Sequence, residues 1–121
     1  MITILLVDDQ PAVRRGLRMR LALEPDLAVV GEAGDAVAAL CLAPALRPRI
    51  VLMDIELPQL DGIAVTAALR QSAPASRVII LSLYDSAATR AQALAAGAAA
   101  VVGKQEADAA LMSAIRRAAS A

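Results

Sequence analysis

The sequence predicts one α/β domain built around a parallel β-sheet. Five short apolar stretches alternate along the 121 residues with five stretches of helical periodicity or high alanine content. Such alternation is typical of strand–helix–strand units with right-handed crossovers, in which the strands run parallel. The central apolar stretch, residues 50–53, has no polar break, as expected of a strand covered by helices on both faces. A chain of this length has room for one core and therefore for one domain.

The composition excludes several classes of function. Twelve basic and twelve acidic residues cancel, so overall charge does not favour nucleic acid or an anionic membrane as a partner. The absence of histidine and the presence of a single cysteine argue against zinc sites and histidine acid–base catalysis. We expect Cys41 to be a small buried thiol in a reducing compartment. No signal peptide or apolar run of about 18 residues is present, which predicts a cytoplasmic protein without membrane contact.

The first predicted strand covers residues 2–7, where β-branched and leucine side chains run up to a pair of acids. Pro11 suits the first turn of the helix that follows. Apolar residues recur every four positions on one face of that helix: Val13, Leu17 and Leu21. The arginines lie mostly off this face, so we expect a solvated surface formed by Arg14, Arg15 and Arg18.

The second predicted strand covers residues 27–33 and leads into a short helix. Asp35 can cap this helix, which we expect to end at about Ala43. Pro44 and Pro48 would then bracket the loop before the third strand, which ends in Asp54.

The second half of the chain continues the alternation, with capping and turn residues at the expected places. The predicted elements are a helix opened by Asp61 and Gly62 that ends near Ser72, a strand over 77–82, a helix between Ser86 and Gly97, a strand over 99–104 and a helix over 107–119.

Polar residues follow or end four of the five predicted strands: Asp8 with Asp9, Asp54, Ser82 and Lys104. Taken singly, each has a plainer explanation, such as helix capping for the first acids or a solvated charge for the lysine. Because the carboxyl ends of parallel strands meet at one edge, where open α/β sheets bind their ligands, we expect these residues to converge. Their joint placement favours a functional site.

The chemistry of this set favours phosphoryl transfer. Crowded carboxylates repel each other unless a cation lies among them, and oxygen ligands favour Mg²⁺. Lys104 would supply a further positive charge and Ser82 a hydroxyl donor. A carboxylate beside these groups suits acceptance of a phosphoryl group, with Asp54 as the attacking residue.

These residues, in this order, resemble the receiver domain of two-component response regulators. The motifs that carry the resemblance are Asp8–Asp9, residues 54–62, residues 82–85, and residues 96–98 ahead of Lys104. The resemblance covers the whole chain, so residues 1–121 would form one receiver domain. It implies a flavodoxin-like (βα)5 fold, a three-layer sandwich with a parallel five-stranded sheet in the order 2-1-3-4-5.

The resemblance also implies a role for each site residue. Asp54 would be the phosphoacceptor, and a sensor histidine kinase would donate the group from its phosphohistidine. Asp9 and Asp54 would bind Mg²⁺ through their side chains, Asp8 would bind it directly or through water, and the backbone carbonyl of Glu56 would complete the protein ligands. Ser82 would bond a phosphoryl oxygen and Lys104 would pair with it.

Residues 13–17 and 83–85 look most like the branch of receivers that precede a LuxR/NarL-type helix-turn-helix domain. This implies transcription regulation, with DNA bound only through a C-terminal domain outside this chain and with homodimerisation on phosphorylation. Tyr84 would lie over the mouth of the site, and the Glu56 side chain would touch it. Kinase contact through Arg14, Arg15 and Arg18 is a less favoured alternative to the solvated face.

Two positions depart from the usual receiver pattern. Val101 stands where receivers carry tyrosine or phenylalanine, and valine has little reach, so the usual aromatic switch is absent. Gln105 stands where many members have proline in a cis peptide; without proline a cis bond costs about 3 kcal/mol, so we expect less constraint or a retained strained bond.

The favoured function is therefore a signalling switch that catalyses only its own phosphorylation and dephosphorylation and is not a metabolic enzyme. The first alternative is a phosphorylation-independent interaction module with a receiver fold, which Val101 supports. The second alternative is a phosphohydrolase with an aspartyl nucleophile. Such enzymes usually have a second aspartate at the position that Glu56 occupies.

Overall fold

The computed structural model describes residues 1–58, 60–83, 86–106 and 108–121. Within these ranges five strands and five helices alternate: β1 (Ile2–Val7), α1 (Pro11–Leu21), β2 (Leu27–Ala33), α2 (Ala36–Leu46), β3 (Ile50–Asp54), α3 (Gly62–Ser72), β4 (Arg77–Ser82), α4 (Ala87–Ala96), β5 (Ala100–Gly103) and α5 (Asp108–Ser120). Neighbouring strands pair in parallel, in the order β2-β1-β3-β4-β5. The predicted α/β class and the strand order that the resemblance implied are confirmed.

The sheet divides the hydrophobic core into two layers. Because strand side chains alternate between faces, Leu5 packs on the side of α2, α3 and α4, whereas Ile4 packs on the side of α1 and α5. All five residues of β3 are buried, as expected of the central strand of a sheet covered on both faces. Complete burial of one side chain such as Ile115 contributes roughly 1.5–3 kcal/mol.

The predicted helix caps are confirmed. The side chains of Asp35, Asp61 and Ser86 each accept a hydrogen bond from a backbone N–H three residues later, at 2.8, 2.7 and 3.1 Å. Each cap is worth about 1 kcal/mol. Gly97 closes α4 with a φ of 111°, a left-handed conformation that favours glycine because it has no Cβ.

The predicted end of α2 near Ala43 is wrong. The helix continues through Pro44 and ends at Leu46. Arg47 is its C-cap, with a φ of 49°, and donates its N–H to the Ala43 carbonyl at 2.9 Å. Its last turn packs on β2, where Leu46 Cδ1 lies 2.7 Å from the position that a Cβ on Gly31 would occupy. This packing holds the last turn although proline removes one helical hydrogen bond.

The prediction that Cys41 is buried is also wrong, because its side chain is exposed on the outer face of α2. Ala36, Ala39 and Ala43 form the buried line of this helix, and Val37 is exposed beside the cysteine. The helix is apolar on all sides, so its sequence has no periodicity that would identify the inner face. It is 11 residues long, and within the described ranges no helix combines the length and hydropathy that a membrane span requires.

The predicted solvated arginine face is correct for Arg15, which is exposed, but wrong for Arg14. The Arg14 guanidinium pairs with Glu32 of β2 at 3.0 Å, and its side chain is only 18% exposed. Arg18, one helical turn further, pairs with the other oxygen of the same carboxylate at 2.6 Å. These bonds hold the pKa of Glu32 below its usual value, chiefly through the hydrogen bond from Arg18.

Candidate functional site

The carboxyl ends of β1 and β3 bring the three predicted acids together. Val7 pairs with Met53 in the sheet, so Asp8 and Asp54 leave adjacent strands at the same level. Carboxylate oxygens of Asp8, Asp9 and Asp54 all lie within 4.8 Å of one another. Asp8 and Asp54 are buried, whereas Asp9 is exposed. The acid cluster, formed by these three residues, therefore opens to solvent on one side.

Lys104 lies directly after β5 and reaches back to the acid cluster. Its Nζ is 3.2 Å from Asp54 Oδ2 and 3.6 Å from Asp8 Oδ2. Its backbone N–H donates to the Ser82 carbonyl at 2.8 Å, which fixes the start of the β5–α5 loop. The Lys104–Gln105 peptide is trans. The expectation of a strained cis bond before Gln105 is therefore wrong.

Ser82 occupies the corresponding position at the end of β4. Its neighbour Leu81 pairs with Asp54, and Ser82 itself pairs with Gly103. The serine is buried and lines an open cleft of about 420 Å³ between the β3–α3 loop and the start of α4. All the side chains expected at one edge of the sheet are therefore at that edge.

Local hydrogen bonds orient two of the carboxylates. Asp8 Oδ1 accepts from the Gln10 N–H at 2.9 Å, and Asp54 Oδ1 accepts from the Glu56 N–H at 3.0 Å. This bond to the amide two residues later is a common way for aspartate to fix the turn that follows a strand. In both residues the remaining oxygen, Oδ2, faces Lys104.

Among the described residues, Lys104 provides the positive charge that pairs with the three carboxylates of the acid cluster. Asp8 Oδ2 is buried and accepts no hydrogen bond within the described part of the chain. Burial raises the pKa of Asp8, the Gln10 N–H opposes this, and the negative charge of Asp54 raises the pKa further. The acid cluster thus offers three carboxylates, and one of their oxygens, Asp8 Oδ2, is buried without a hydrogen bond. Such a set of oxygen donors fits a hard divalent cation such as Mg²⁺.

Gly62 lies where the start of α3 meets the backbone at the end of β3. We expected a turn glycine, but Gly62 is the first residue of α3 and its φ is not positive. Its N–H donates to the Ile55 carbonyl at 2.6 Å, and a Cβ would lie 2.6 Å from the Asp54 carbonyl oxygen. Glycine is required here because α3 begins in contact with the backbone of the residue that carries the central carboxylate.

The structure leaves the other predicted residues with less defined roles. The Glu56 side chain is exposed, and the proposed use of its carbonyl as a metal ligand stays a prediction. Tyr84 lies outside the described residues. Val101 is buried against Ile80 of β4, in the core layer that also contains Ala93 of α4, so this position is filled by a small apolar side chain.

Comparison with known proteins identifies the family. Residues 4–116 match the family described as "Response regulator receiver domain". The chain belongs to this family. Its structure superposes on that of the receiver domain of NarL, a response regulator from Mycobacterium tuberculosis, with a TM-score of 0.92 and 35% identity, over 98% of this chain and 96% of that one.

Among curated relatives, the receiver is 40% identical over 104 residues to the DNA-binding transcriptional activator DevR/DosR of M. tuberculosis, covering 86% of this chain and 48% of that protein. It is also 40% identical to a protein-glutamate methylesterase/protein-glutamine glutaminase of Cereibacter sphaeroides, over 84% of this chain and 28% of that enzyme. The chain thus spans about half the length, or less, of these relatives. Receiver domains of this kind occur both in transcription regulators and in enzymes.

We predict that Asp8→Asn stabilises the receiver in the absence of divalent cations. The change removes a buried, poorly compensated charge and keeps the acceptor for the Gln10 N–H, so the free energy of unfolding at neutral pH should rise by about 1–2 kcal/mol. Urea denaturation with a chelator present measures this difference.

The gain should depend on pH. Because the pKa of Asp8 in the folded state is raised above 3.8, the wild type loses stability as the pH rises from about 3.8 through that raised value. The asparagine variant lacks this loss, so its advantage should be complete at neutral pH and vanish below about pH 3.8. An advantage that is absent at neutral pH, or that is equal at all pH values, would contradict the prediction.

Proposed function

We propose that the receiver accepts a phosphoryl group on Asp54 from a sensor histidine kinase in the cytoplasm, as part of a two-component system. The observation that carries this proposal is the convergence on Asp54 of two further carboxylates, within 4.8 Å, and of the Lys104 ammonium, at 3.2 Å. These residues come from three different strand ends, and such an arrangement has no evident structural purpose because it concentrates charge in a buried place.

The acid cluster would hold Mg²⁺ through the side chains of Asp8, Asp9 and Asp54, with the Glu56 carbonyl as a further ligand. When bound, the cation would neutralise negative charge on the oxygens of the phosphoryl group. The buried, unbonded Oδ2 atom of Asp8 supports this assignment, since it lacks any hydrogen-bond donor of its own among the described residues.

The protein's own side chains would perform the transfer. A carboxylate oxygen of Asp54 attacks phosphorus, the bond from phosphorus to the kinase imidazole breaks, and its electron pair stays on the imidazole nitrogen. The phosphorylated residue carries about two negative charges. Lys104, already paired with Asp54 Oδ2, then pairs with a phosphoryl oxygen, and Ser82 donates its hydroxyl to another.

Phosphorylation would shift the receiver between two states and thereby change its association with a second copy. The likeness to DevR, which is named a DNA-binding transcriptional activator, supports transcription regulation through a separate C-terminal domain. The alternative is a phosphorylation-independent interaction module. The buried Val101, in place of an aromatic residue that could change its position, favours that alternative.

One experiment separates these functions: incubation with acetyl phosphate and Mg²⁺, followed by intact mass and size-exclusion chromatography. A switch should gain one phosphoryl group and change its association state. It should gain no phosphoryl group when Mg²⁺ has been removed by a chelator before the incubation. Beryllofluoride with Mg²⁺ should produce the same change in size. A constitutive module would show neither effect, and a phosphohydrolase would release phosphate continuously from phosphate esters.

A further inference from the structure

Arg14 of α1 contacts the peptide that joins the two N-terminal acids of the cluster. Its Nη1 donates to the carbonyl oxygen of Asp8 at 2.5 Å. That carbonyl belongs to the peptide unit between Asp8 and Asp9, so a bond to it restrains the plane of this peptide. Together with the side-chain torsions of Asp8 and Asp9, the orientation of this peptide sets how the two carboxylates are directed relative to each other.

The Arg14 side chain is itself held in place from two sides. Its Nε donates to Glu32 Oε1 at 3.0 Å, while Arg18 occupies Oε2 of the same carboxylate. Its Nη1 also lies near Gly34, where a Cβ would be 3.5 Å away. One planar guanidinium therefore connects β2 with the turn after β1, and its several donors allow two bonds in fixed directions.

The bond from the Gln10 N–H to Asp8 Oδ1 restrains the turn after β1, but among the described residues Arg14 is the side chain that bonds the carbonyl of the Asp8–Asp9 peptide itself. The Asp8 N–H donates to the Ala33 carbonyl at 3.1 Å, which fixes the peptide before Asp8. Asp9 is exposed, and the helix that follows begins only at Pro11. The bond from Arg14 thus lies at the one peptide that connects the buried acid with the exposed one.

We propose that Arg14 is a positioning residue for divalent cation binding, which acts by holding the Asp8–Asp9 peptide so that both carboxylates face the same point. The inference rests on the proposed function of the acid cluster. Arg14 does not contact the cation or the phosphoryl group in this proposal; it acts through the backbone of Asp8.

Removal of the Arg14 side chain should change the affinity for the cation in opposite directions, depending on whether its charge or its positioning contact matters. Removal of a positive charge near a cation site should strengthen cation binding if electrostatic attraction alone matters. Loss of a positioning contact should weaken binding, and loss of partners that orient metal ligands commonly costs 10-fold or more in affinity. Arg18 provides the matched control, because it is bonded to the same Glu32 carboxylate and makes no described bond to Asp8.

The experiment measures the Kd for Mg²⁺ by isothermal titration calorimetry, with Mn²⁺ electron paramagnetic resonance as a second probe. It compares the wild type with Arg14→Gln, Arg14→Lys and Arg18→Gln, after thermal melting has shown which variants are folded. We expect Arg14→Gln to raise the Kd about 10-fold. Arg18→Gln should bind as tightly as the wild type or more tightly.

Arg14→Lys keeps the charge and loses the fork of donors, so it should also raise the Kd, by at least about threefold. This variant decides the question if Arg14→Gln does not fold. Folded Arg14 variants with an unchanged or lower Kd would overturn the inference while leaving the proposed function intact. If the wild type itself binds no Mg²⁺, both the proposed function and this inference are wrong.

Discussion

Replacement of Asp54 by asparagine is expected to abolish the gain of a phosphoryl group from acetyl phosphate and Mg²⁺. An amide oxygen is a far weaker nucleophile than a carboxylate, and the variant has no other carboxylate at the same position. Asparagine has the same size as aspartate and keeps an acceptor for the Glu56 N–H, so the turn after β3 should persist. Intact mass after incubation, together with circular dichroism to verify folding, measures the result.

Asp61→Asn is the matched control for this variant. Asp61 is also an acid of the β3–α3 region, but it is exposed and caps α3 through the Ala64 N–H, a function that asparagine performs equally well. This control should therefore gain one phosphoryl group at close to the wild-type rate. Phosphorylation of Asp54→Asn, or its loss in Asp61→Asn, would show that the phosphoacceptor has been assigned to the wrong residue.

Loss of the Asp54 carboxylate should also be visible without any phosphate donor. The variant removes one of the three acids of the cluster and, among the described residues, leaves Lys104 paired with Asp8 alone. The rise in melting temperature that Mg²⁺ produces should therefore shrink, because ligand stabilisation falls as the Kd rises. This second measurement reports cation binding alone, because no phosphoryl transfer takes place without a phosphate donor.

The parts of the structure that could be predicted from sequence depend on local rules. Asp35, Asp61 and Ser86 cap their helices because a short polar side chain at a helix start satisfies a free N–H, whatever the rest of the fold does. The site could be predicted for a different reason. Parallel strands carry their carboxyl ends to one edge, so residues far apart in sequence, such as Asp8 and Lys104, meet through topology.

The parts that could not be predicted depend on contacts between distant elements. Arg14 looked like one of several surface arginines, and its contacts with Glu32 on β2 and with the Asp8 carbonyl distinguish it from the exposed Arg15. Cys41 lies in a helix whose apolar residues surround the axis, so its outward direction is set by packing and not by pattern. The close approach of Gly62 to β3 likewise follows from the placement of α3 on the sheet.

Replacement of Gly62 by alanine is expected to lower the free energy of unfolding by about 3 kcal/mol. The new Cβ would lie 2.6 Å from the Asp54 carbonyl oxygen and 2.7 Å from Ile55 Cα. Both atoms belong to backbone, so neither can move aside by a change of rotamer. The N-terminus of α3 or the end of β3 must therefore shift, and the bond from the Gly62 N–H to the Ile55 carbonyl should weaken. Urea denaturation measures the loss.

Gly16→Ala is the opposite case in the same chain. Gly16 lies inside α1, and a Cβ there would meet nothing within 4 Å. Alanine at this position should stabilise the receiver by about 0.5–1 kcal/mol, because glycine inside a helix loses more conformational freedom on folding. The pair separates the general effect of adding a methyl group to a glycine from the specific effect of contact with β3. Equal changes in stability for the two variants would refute the role assigned to Gly62.

The Gly62→Ala variant should also slow the phosphorylation of Asp54, whereas Gly16→Ala should not. A shift of the Asp54–Ile55 peptide moves the carboxylate relative to Lys104, which is attached to a different strand and does not follow. Small displacements of this kind are costly in reactions that depend on the position of the reacting groups. A Gly62→Ala variant that is less stable yet phosphorylated at the wild-type rate would show that the contact supports the fold alone.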